Sequence, residues 1–239
     1  MWLSEEHWRK AGVRENIDIH WHSTVTNLFP NCQKYADALA PMAHQKNIKI
    51  TWKSQLTAID KDNRIATFKN LDSGEETTTN FDFLHIAPPQ TAPAFIRESP
   101  LAANVPAGWL DVKQNTLQHN KYANIFGLGD VCNLPTAKTA AGVFNQVPVV
   151  AHNLLVQMGK KPNSASYSGY SSCPLFVGDG KLMMIEFKYG AQPDETFWKS
   201  QTTPSRLFYF FKKWMFPFVY WQLMPRGLWY GRQIVPPRY

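Results

Sequence analysis

An apolar segment that runs into two glycines and an aspartate limits what this chain can fold into more than any other feature. Residues 122–126 are followed by Gly127-Leu-Gly129-Asp130, and a helix start is predicted shortly afterwards, near Thr136. Glycine lets a backbone approach a neighbour or a ligand closely, and the N–H groups of a helix start attract negative charge. The pattern therefore predicts a buried strand, a tight turn and a helix, with the Asp130 carboxylate placed to bind a sugar or ribityl hydroxyl. An ordinary turn with an aspartate cap is the alternative.

The remaining hydrophobic periodicity predicts an α/β sheet with an added β ribbon. A first helix is expected to end at Gly12, and a later helix covers residues 35–47. Residues 87–108 hold five prolines and are predicted to be a loop. Predicted strands cover residues 17–21, 48–52, 56–59, 65–68 and 81–86, and a predicted hairpin covers residues 176–188.

The net charge of +7 belongs to the last 43 residues of the chain. Residues 1–196 hold 18 basic and 18 acidic side chains, whereas residues 197–239 hold seven basic side chains, no acidic ones and 14 of the 33 aromatic ones. A neutral body offers no broad positive surface to a phosphate backbone, so nucleic-acid binding is not expected. Three cysteines are too few, and odd in number, for a secreted disulfide scaffold.

The basic, aromatic end of the chain is predicted to contain an amphipathic helix. Apolar side chains recur there at intervals of three and four, which is the helical period. No run reaches 18 apolar residues, and the twelve uncharged residues 214–225 can lie in a membrane interface but cannot cross a bilayer. An aromatic face flanked by bases suits anchoring on anionic lipid, and packing on the chain's own body is the alternative. The face comprises Leu207, Phe210, Phe211, Trp214, Met215 and Phe218, and the flanking bases are Arg206, Lys212 and Lys213.

Two histidines, His20 and His22, share one face of the first predicted strand. Histidines at this spacing can bind a metal ion, but no third ligand accompanies them. We interpret them as side chains on the strand surface, and we predict no metal site.

Five motifs occur in a fixed order along the chain. They are Leu84-His-Ile-Ala-Pro88-Pro89, Gly108-Trp109-Leu-Asp-Val, Thr116-Leu-Gln-His119, Gly127-Leu-Gly-Asp-Val-Cys-Asn-Leu-Pro-Thr-Ala-Lys138-Thr-Ala-Ala and Ser171-Ser-Cys173-Pro174. Together they resemble the mitochondrial-type sulfide:quinone oxidoreductases, which are flavoproteins with two dinucleotide-binding domains, and the similarity extends from about Trp2 to at least Arg226. The resemblance implies an α/β fold with partial Rossmann-like FAD- and NAD(P)-binding domains of glutathione-reductase type, a C-terminal β-hairpin and amphipathic membrane-anchoring helices.

The glycine turn matches the second FAD motif of that family. The resemblance implies that Asp130 holds the ribityl chain of FAD, that Gly129 also contacts the cofactor, and that the helix starting near Ala137 and Lys138 faces the N1/C2=O edge of the isoalloxazine. A lysine and a helix N-terminus would stabilise the negative charge of a reduced flavin. A solvated surface lysine is the alternative for Lys138. Gln146 matches a position near the flavin, although an ordinary polar residue on a helix face fits equally well.

Cys173 is implied to be one of two redox cysteines, and the one that receives the sulfide sulfur. Sulfide attacks a disulfide, because it needs an electrophilic sulfur and a thiolate leaving group. One sulfur becomes a persulfide, and electrons pass through FAD to a quinone. A buried structural thiol is the alternative, and Cys32 and Cys132 match no redox position. The residues expected at the membrane and the quinone entrance are Phe210, Phe211, Trp214, Lys212 and Lys213.

The family's partner cysteine and its first Gly-rich FAD motif precede the region that matches this chain. We therefore expect a C-terminal half that needs the N-terminal half of the same enzyme as its partner, with Met1 an internal methionine or the start of a truncated gene. Alone, the chain is expected to bind FAD weakly or not at all and to be poorly soluble, because its sheet has an exposed edge. The expected parts are residues 1–110 (NAD(P)-type domain with the meander), 111–165 (FAD-binding segment) and 166–239 (redox cysteine and membrane anchor).

The predicted function is electron transfer from sulfide through FAD to a membrane quinone. A related quinone reductase, such as a type II NADH dehydrogenase, and a non-catalytic membrane-binding remnant are the alternatives. The Cys173-Pro174 context argues against the NADH enzyme. The expected location follows the family: peripheral on the mitochondrial inner membrane in a eukaryote, and otherwise on the bacterial cytoplasmic membrane.

Overall fold

The computed structural model describes residues 1–197 and 200–232. The chain forms two compact units. The three-part division expected from the resemblance stays a prediction. The first unit comprises Met1–Pro88 and Val177–Asp179, and the second comprises Pro89–Phe176 and the described residues from Gly180 onward.

The first unit contains the predicted strand, helix and strand. The two strands pair in parallel, with Ile19 opposite Ile48. The helix between them buries Tyr35 and Leu39, which lie four residues apart and therefore share one helical face. The elements are α1 (Trp2–Lys10), β1 (Ile19–His22), α2 (Gln33–Gln45) and β2 (Ile48–Thr51).

Three antiparallel strands follow in the order β3–β4–β5. The third strand corrects the sequence prediction, because it is the threonine-rich Glu76–Asn80 and not residues 81–86. The Gly74 N–H donates to the Asn70 carbonyl at 2.9 Å and closes a tight turn, which brings the threonines directly into the ladder. Residues 81–86 leave the sheet, and Phe83 is 74% exposed. The strands are β3 (Ser54–Asp60), β4 (Ile65–Asn70) and β5 (Glu76–Asn80).

In the second unit, the segment before the glycine turn is less regular than predicted. Residues 122–126 form no strand, and the turn continues into a single 3-10 turn, Gly129–Val131. Two backbone hydrogen bonds and one isolated bridge join residues 125–127 to residues 117–119. This pairing covers too few residues to develop a regular ladder. The predicted loop 87–108 contains a short helix, α3 (Ala94–Arg97).

The helix after the turn, α4 (Ala140–Gln157), begins later than the predicted start near Thr136. The Thr139 hydroxyl accepts a hydrogen bond from the Gly142 N–H at 3.0 Å and caps the helix. Thr136 and Lys138 donate side-chain hydrogen bonds to carbonyls of other segments, which holds residues 136–138 outside the helix.

The predicted hairpin is present and is longer than expected. It consists of β6 (Ser171–Gly178) and β7 (Lys181–Lys188), and β8 (Gln192–Pro193) extends the sheet. Leu182 and Met184 of β7 are buried and form a hydrophobic cluster with Phe208 from the C-terminal helix.

The aromatic end of the chain forms a helix with two π-helical turns. It starts with α5 (Arg206–Phe210) and continues through α6 (Phe216–Phe218). The turns Phe211–Met215 and Val219–Leu223 on either side of α6 are π-helical. Pro217 has no N–H to donate to the preceding turn, and this explains the irregular hydrogen bonding around it.

This helix does not present a single apolar face, as its sequence period predicts. Phe210, Trp214 and Phe218 are exposed, but Met215 is half-buried and Phe211 packs against the cluster of β7. A π-helical turn holds more residues than an α-helical turn, so it rotates side chains away from the predicted face. Within the described residues, no helix is long and apolar enough to cross a membrane.

Candidate functional site

A small cleft lies where the glycine turn meets the start of α4. Its open space of about 220 Å³ includes the solvent at its mouth. The lining residues are Gly129, Cys132, Leu134, Thr136, Ala137, Lys138, Thr139 and Gln146. The structure therefore brings the predicted residues Gly129, Ala137, Lys138 and Gln146 to one place, whereas the predicted Asp130 is on the same turn but does not line the cleft.

Gln146 supports the glycine turn from inside the second unit. Its Oε1 accepts a hydrogen bond from the Gly129 N–H at 2.6 Å, and the side chain is buried. Gly129 has a φ of +77°, which glycine adopts without strain. Gln146 is therefore not a plain polar residue on an exposed helix face, because its amide oxygen fixes the turn that carries Asp130.

Lys138 is held by three contacts. Its Nζ donates to the Asp130 carbonyl at 2.5 Å and to the Cys132 carbonyl at 2.9 Å. The same nitrogen lies 3.9 Å from the centroid of the Trp109 ring. Burial lowers the pKa of the Lys138 ammonium, and the neighbouring Cys132 and Asp130 oppose this shift. These contacts exclude the solvated surface lysine that the sequence left open.

Asp130 carries the group best placed to bind an external ligand. Its side chain is exposed, while Lys138 holds its backbone carbonyl. Among the residues that the structure describes, none makes a hydrogen bond or ion pair with the Asp130 carboxylate. An ionised carboxylate accepts hydrogen bonds and donates none. A fixed turn with a free carboxylate is thus able to bind hydroxyl groups.

A hydrogen bond joins the start of α4 to the strand that carries Cys173. Thr139 Oγ1 and Ser171 Oγ lie 2.8 Å apart, and the Ser171 hydroxyl donates to the Ala137 carbonyl at 3.3 Å. Cys173 follows Ser171 by two residues on β6. The cleft and the predicted redox cysteine therefore belong to one hydrogen-bonded region of the second unit.

Cys173 is the most accessible of the three thiols, because Cys32 and Cys132 are buried and Cys173 is half-buried. Burial raises the pKa of the Cys173 thiol to about 11, and the charge of Lys212 opposes this shift. Burial raises the pKa of the Cys132 thiol to about 12. The Cys173 thiol is therefore protonated at neutral pH, with one nearby cation that favours a sulfur anion.

We expect alkylation of Cys173 by iodoacetamide to be slow at neutral pH. The thiolate is the reacting form, so the rate should rise about tenfold per pH unit until the pH approaches the raised pKa of about 11. Mass spectrometry of the native chain measures this rate. Lys212→Met should move the profile to still higher pH, and Cys32 and Cys132 serve as unreactive internal controls. A rate that levels off near the ordinary cysteine pKa of about 8.5 would contradict this prediction.

Close packing requires a glycine at position 127, where the turn begins. A Cβ atom there would lie 2.3 Å from Leu110 Cδ2 and 2.9 Å from Cys132 Sγ. We expect Gly127→Ala to lower the free energy of unfolding by about 1–3 kcal/mol, the usual cost of overpacking. Urea unfolding of the chain measures it. Gly142→Ala is the matched control, because its Cβ would meet nothing closer than 3.4 Å; an equal loss in both variants would show that packing at the turn is not the cause.

The predicted membrane and quinone residues separate into two groups. Phe210, Trp214 and Lys213 are exposed, and Lys213 Nζ lies 5.2 Å from the centroid of a Trp214 ring. Phe211 packs inward, and Lys212 is half-buried near the Cys173 thiol. The two adjacent lysines therefore face different surroundings.

The two histidines of β1 also differ. His20 is exposed, as predicted, whereas His22 is half-buried and stacks on Phe68 with ring centroids 3.6 Å apart. Its Nδ1 lies 2.9 Å from Ser54 Oγ. Burial, and the nearby His20, lower the pKa of His22 to about 4, so it is neutral at physiological pH. In the part of the chain that is described, no group of three His, Cys, Asp or Glu side chains could hold a metal ion.

The sequence predictions missed three residues of this region: Trp109, Thr139 and Ser171. Threonine three residues before Gly142 is a capping signal that places the start of α4 correctly. Nothing in the local sequence pairs Trp109 with Lys138, or Ser171 with Thr139, because these contacts join distant parts of the chain.

No protein-family model matches the chain. The mitochondrial sulfide:quinone oxidoreductase of Schizosaccharomyces pombe is 42% identical over 248 residues, which cover 100% of this chain and 53% of that protein. The Mus musculus protein of the same name is 39% identical over 97% of this chain and 51% of its own length. The chain is a relative of the mitochondrial sulfide:quinone oxidoreductases. It spans about half the length of these curated relatives, and the predicted resemblance is confirmed.

Solved structures agree with the fold. A chain in the cryo-EM structure of the Tetrahymena thermophila mitochondrial ATP synthase is 26% identical, with a TM-score of 0.79 over 98% of this chain and 56% of that one. The sulfide:quinone oxidoreductase of Aquifex aeolicus has a TM-score of 0.76 at 16% identity, over 92% of this chain and 53% of that one. The predicted α/β class is confirmed, and the chain shares the fold of the matching half of the Aquifex aeolicus structure.

Proposed function

We propose that this chain supplies the C-terminal portion of an FAD-dependent sulfide:quinone oxidoreductase. The enzyme oxidises sulfide to a cysteine persulfide and passes the electrons to a membrane quinone. One observation carries the proposal: the Schizosaccharomyces pombe enzyme matches this chain over its whole length at 42% identity, so the matched region spans the cleft and Cys173. This supports the sulfide reaction over that of a type II NADH dehydrogenase.

The residues of the cleft and of the adjoining turn would suit a flavin. The exposed Asp130 carboxylate, on the turn beside the cleft, would accept a hydrogen bond from a hydroxyl of the ribityl chain. The start of α4 borders the cleft, and its first N–H groups and its dipole stabilise negative charge there. FAD, when bound, supplies two-electron transfer. In this proposal the N-terminal half of the enzyme would provide the other contacts to the cofactor.

Cys173 forms the persulfide in this proposal. Hydrosulfide attacks a disulfide between Cys173 and a cysteine of the N-terminal half. The old S–S bond breaks, a new S–S bond joins the sulfide sulfur to Cys173, and the partner cysteine leaves as a thiolate with the electron pair. Lys212 stabilises anionic sulfur at Cys173, since its charge already favours the thiolate there.

The exposed part of the C-terminal helix lies on the membrane in this proposal. An aromatic stripe of large exposed side chains runs along it, with exposed bases beside it. Apolar rings insert at the headgroup boundary, and basic side chains bind anionic headgroups. The curated relatives are mitochondrial by name, so we assign the chain to the surface of the mitochondrial inner membrane. The aromatic stripe comprises Phe210, Trp214, Phe218 and Trp221, with the aliphatic Leu207 also exposed, and the bases are Arg206, Lys213 and Arg226.

A two-half fusion tests the function. It joins the N-terminal half of the Schizosaccharomyces pombe relative in frame to this chain and is compared with this chain alone. We expect the fusion to carry stoichiometric flavin and the chain alone to carry little. Sulfide should bleach the flavin absorbance of the fusion, and a short-chain ubiquinone should restore it.

The other outcomes are equally informative. A flavin-loaded fusion that NADH bleaches and sulfide does not would overturn the proposal in favour of a type II NADH dehydrogenase. A folded fusion without flavin would favour a non-catalytic membrane-binding protein. Stoichiometric flavin in this chain alone would show that the N-terminal half is not needed to hold the cofactor.

A further inference from the structure

Trp109 lies beside the cleft, and the proposed chemistry does not use it. Its backbone position is fixed, because its carbonyl accepts a hydrogen bond from the Ala103 N–H at 2.7 Å. Gly108 before it is buried with a φ of +61°, and a Cβ there would lie 2.4 Å from Arg97 Cγ. The half-buried indole packs against the cluster that includes Leu110 and Cys132. The ring therefore has little freedom to turn away from the cleft.

The face of this ring meets the ammonium of Lys138 at 3.9 Å. A lysine ammonium has three N–H donors. Lys138 donates two hydrogen bonds, to the carbonyls of Asp130 and Cys132. The π face of Trp109 is the third group in contact with its ammonium. An aromatic face attracts a cation most strongly when both are partly removed from water, and the lowered pKa of Lys138 reflects such burial.

We propose that Trp109 is a positioning residue that holds Lys138 as a brace across the Asp130 turn. Lys138 bonds the carbonyls on both sides of Val131, while Gln146 holds the Gly129 N–H. The backbone that carries Asp130 is thereby fixed, and its carboxylate is exposed. Lys138 would then contribute to ligand binding in two ways: it holds the backbone that carries Asp130, and it supplies a positive charge. The identity of the ligand rests on the proposed function, whereas the brace itself does not.

Competitive trace acetylation of the full chain tests the brace without any flavin. The reactivity of Lys138 is compared by mass spectrometry with that of Lys160, which is exposed. We expect Lys138 to react about tenfold more slowly than Lys160, because its two hydrogen bonds and the indole shield its nitrogen more than its lowered pKa activates it. Trp109→Leu should raise its rate about fivefold or more, the scale of a partly buried cation–π contact. Trp109→Phe keeps an aromatic face and should retain most of the protection.

The controls separate the brace from a general loss of structure. Trp221→Leu removes an exposed indole elsewhere in the second unit and should leave Lys138 protected. Thermal unfolding of each variant shows that it is folded during labelling. Equal rates for Lys138 and Lys160 in the unmodified chain, or no protection by phenylalanine, would overturn the proposal.

The link to the cofactor is tested in the two-half fusion. We expect Trp109→Leu and Lys138→Met each to raise the dissociation constant for FAD about tenfold, and the double variant to add little beyond either change, since both remove one brace. If Trp109→Leu raises the acetylation rate of Lys138 but leaves the FAD affinity unchanged, the positioning role is refuted. If the fusion binds no FAD but Trp109 still protects Lys138 from acetylation, the proposed function is refuted and the contact between Trp109 and Lys138 is still supported.

Discussion

A Cys173→Ser variant of the two-half fusion is expected to keep its flavin and to lose sulfide-dependent quinone reduction by about 1,000-fold or more. Serine cannot form the disulfide that hydrosulfide attacks, and losing a covalent reaction partner commonly costs at least this much. Cys173 is half-buried on β6, and serine is slightly smaller, so the fold should tolerate the change. Stopped-flow measurement of flavin bleaching by sulfide gives the rate.

Cys32→Ala is the matched control for Cys173→Ser. Cys32 is a buried thiol of the first unit, so its loss removes a cysteine without touching the cleft. The control should keep the unmodified rate. A Cys173→Ser fusion that still reduces quinone with sulfide at that rate would remove Cys173 from the mechanism. Loss of bound flavin in this variant would assign Cys173 a structural role instead.

The glycine turn shows how much of the site the sequence could predict. Local pattern alone brought Gly129 and Asp130 to a turn before a helix, and the resemblance added Lys138 and Gln146 at the same cleft. Their roles depend on contacts from distant residues. Trp109 lies 29 positions before Lys138, and no periodicity relates the two. The hydrogen bond from Gly129 to Gln146 likewise exists only once α4 has packed.

The strands of the chain illustrate a second limit. The hairpin around Asp179 and the pair β1–β2 were predictable, because turn residues and alternation mark them locally. Residues 81–86 and 122–126 have equally apolar patterns but form no strand. A strand needs a partner along its edge, and sequence pattern does not report whether one is present. Segments of this kind were the main source of wrong strand predictions.

A Trp214→Ser, Trp221→Ser double variant of this chain is expected to bind anionic vesicles about 100-fold more weakly. Both rings belong to the aromatic stripe and are exposed, Trp214 by 60% and Trp221 by 68%. Burying a large apolar side chain contributes about 1.5–3 kcal/mol, and about 1.4 kcal/mol corresponds to a tenfold change in affinity. Sedimentation with vesicles of phosphatidylcholine and phosphatidylglycerol measures the partition coefficient.

Phe95→Ser is the matched control for the double variant, because Phe95 is 75% exposed on α3 and lies outside the aromatic stripe. It should bind vesicles as tightly as the unmodified chain. Binding should also weaken on pure phosphatidylcholine, since Arg206, Lys213 and Arg226 then lose their anionic partners. Equal losses in Phe95→Ser and the double variant would indicate general hydrophobic adhesion. Undiminished binding by the double variant would place the membrane contact on another surface of the chain.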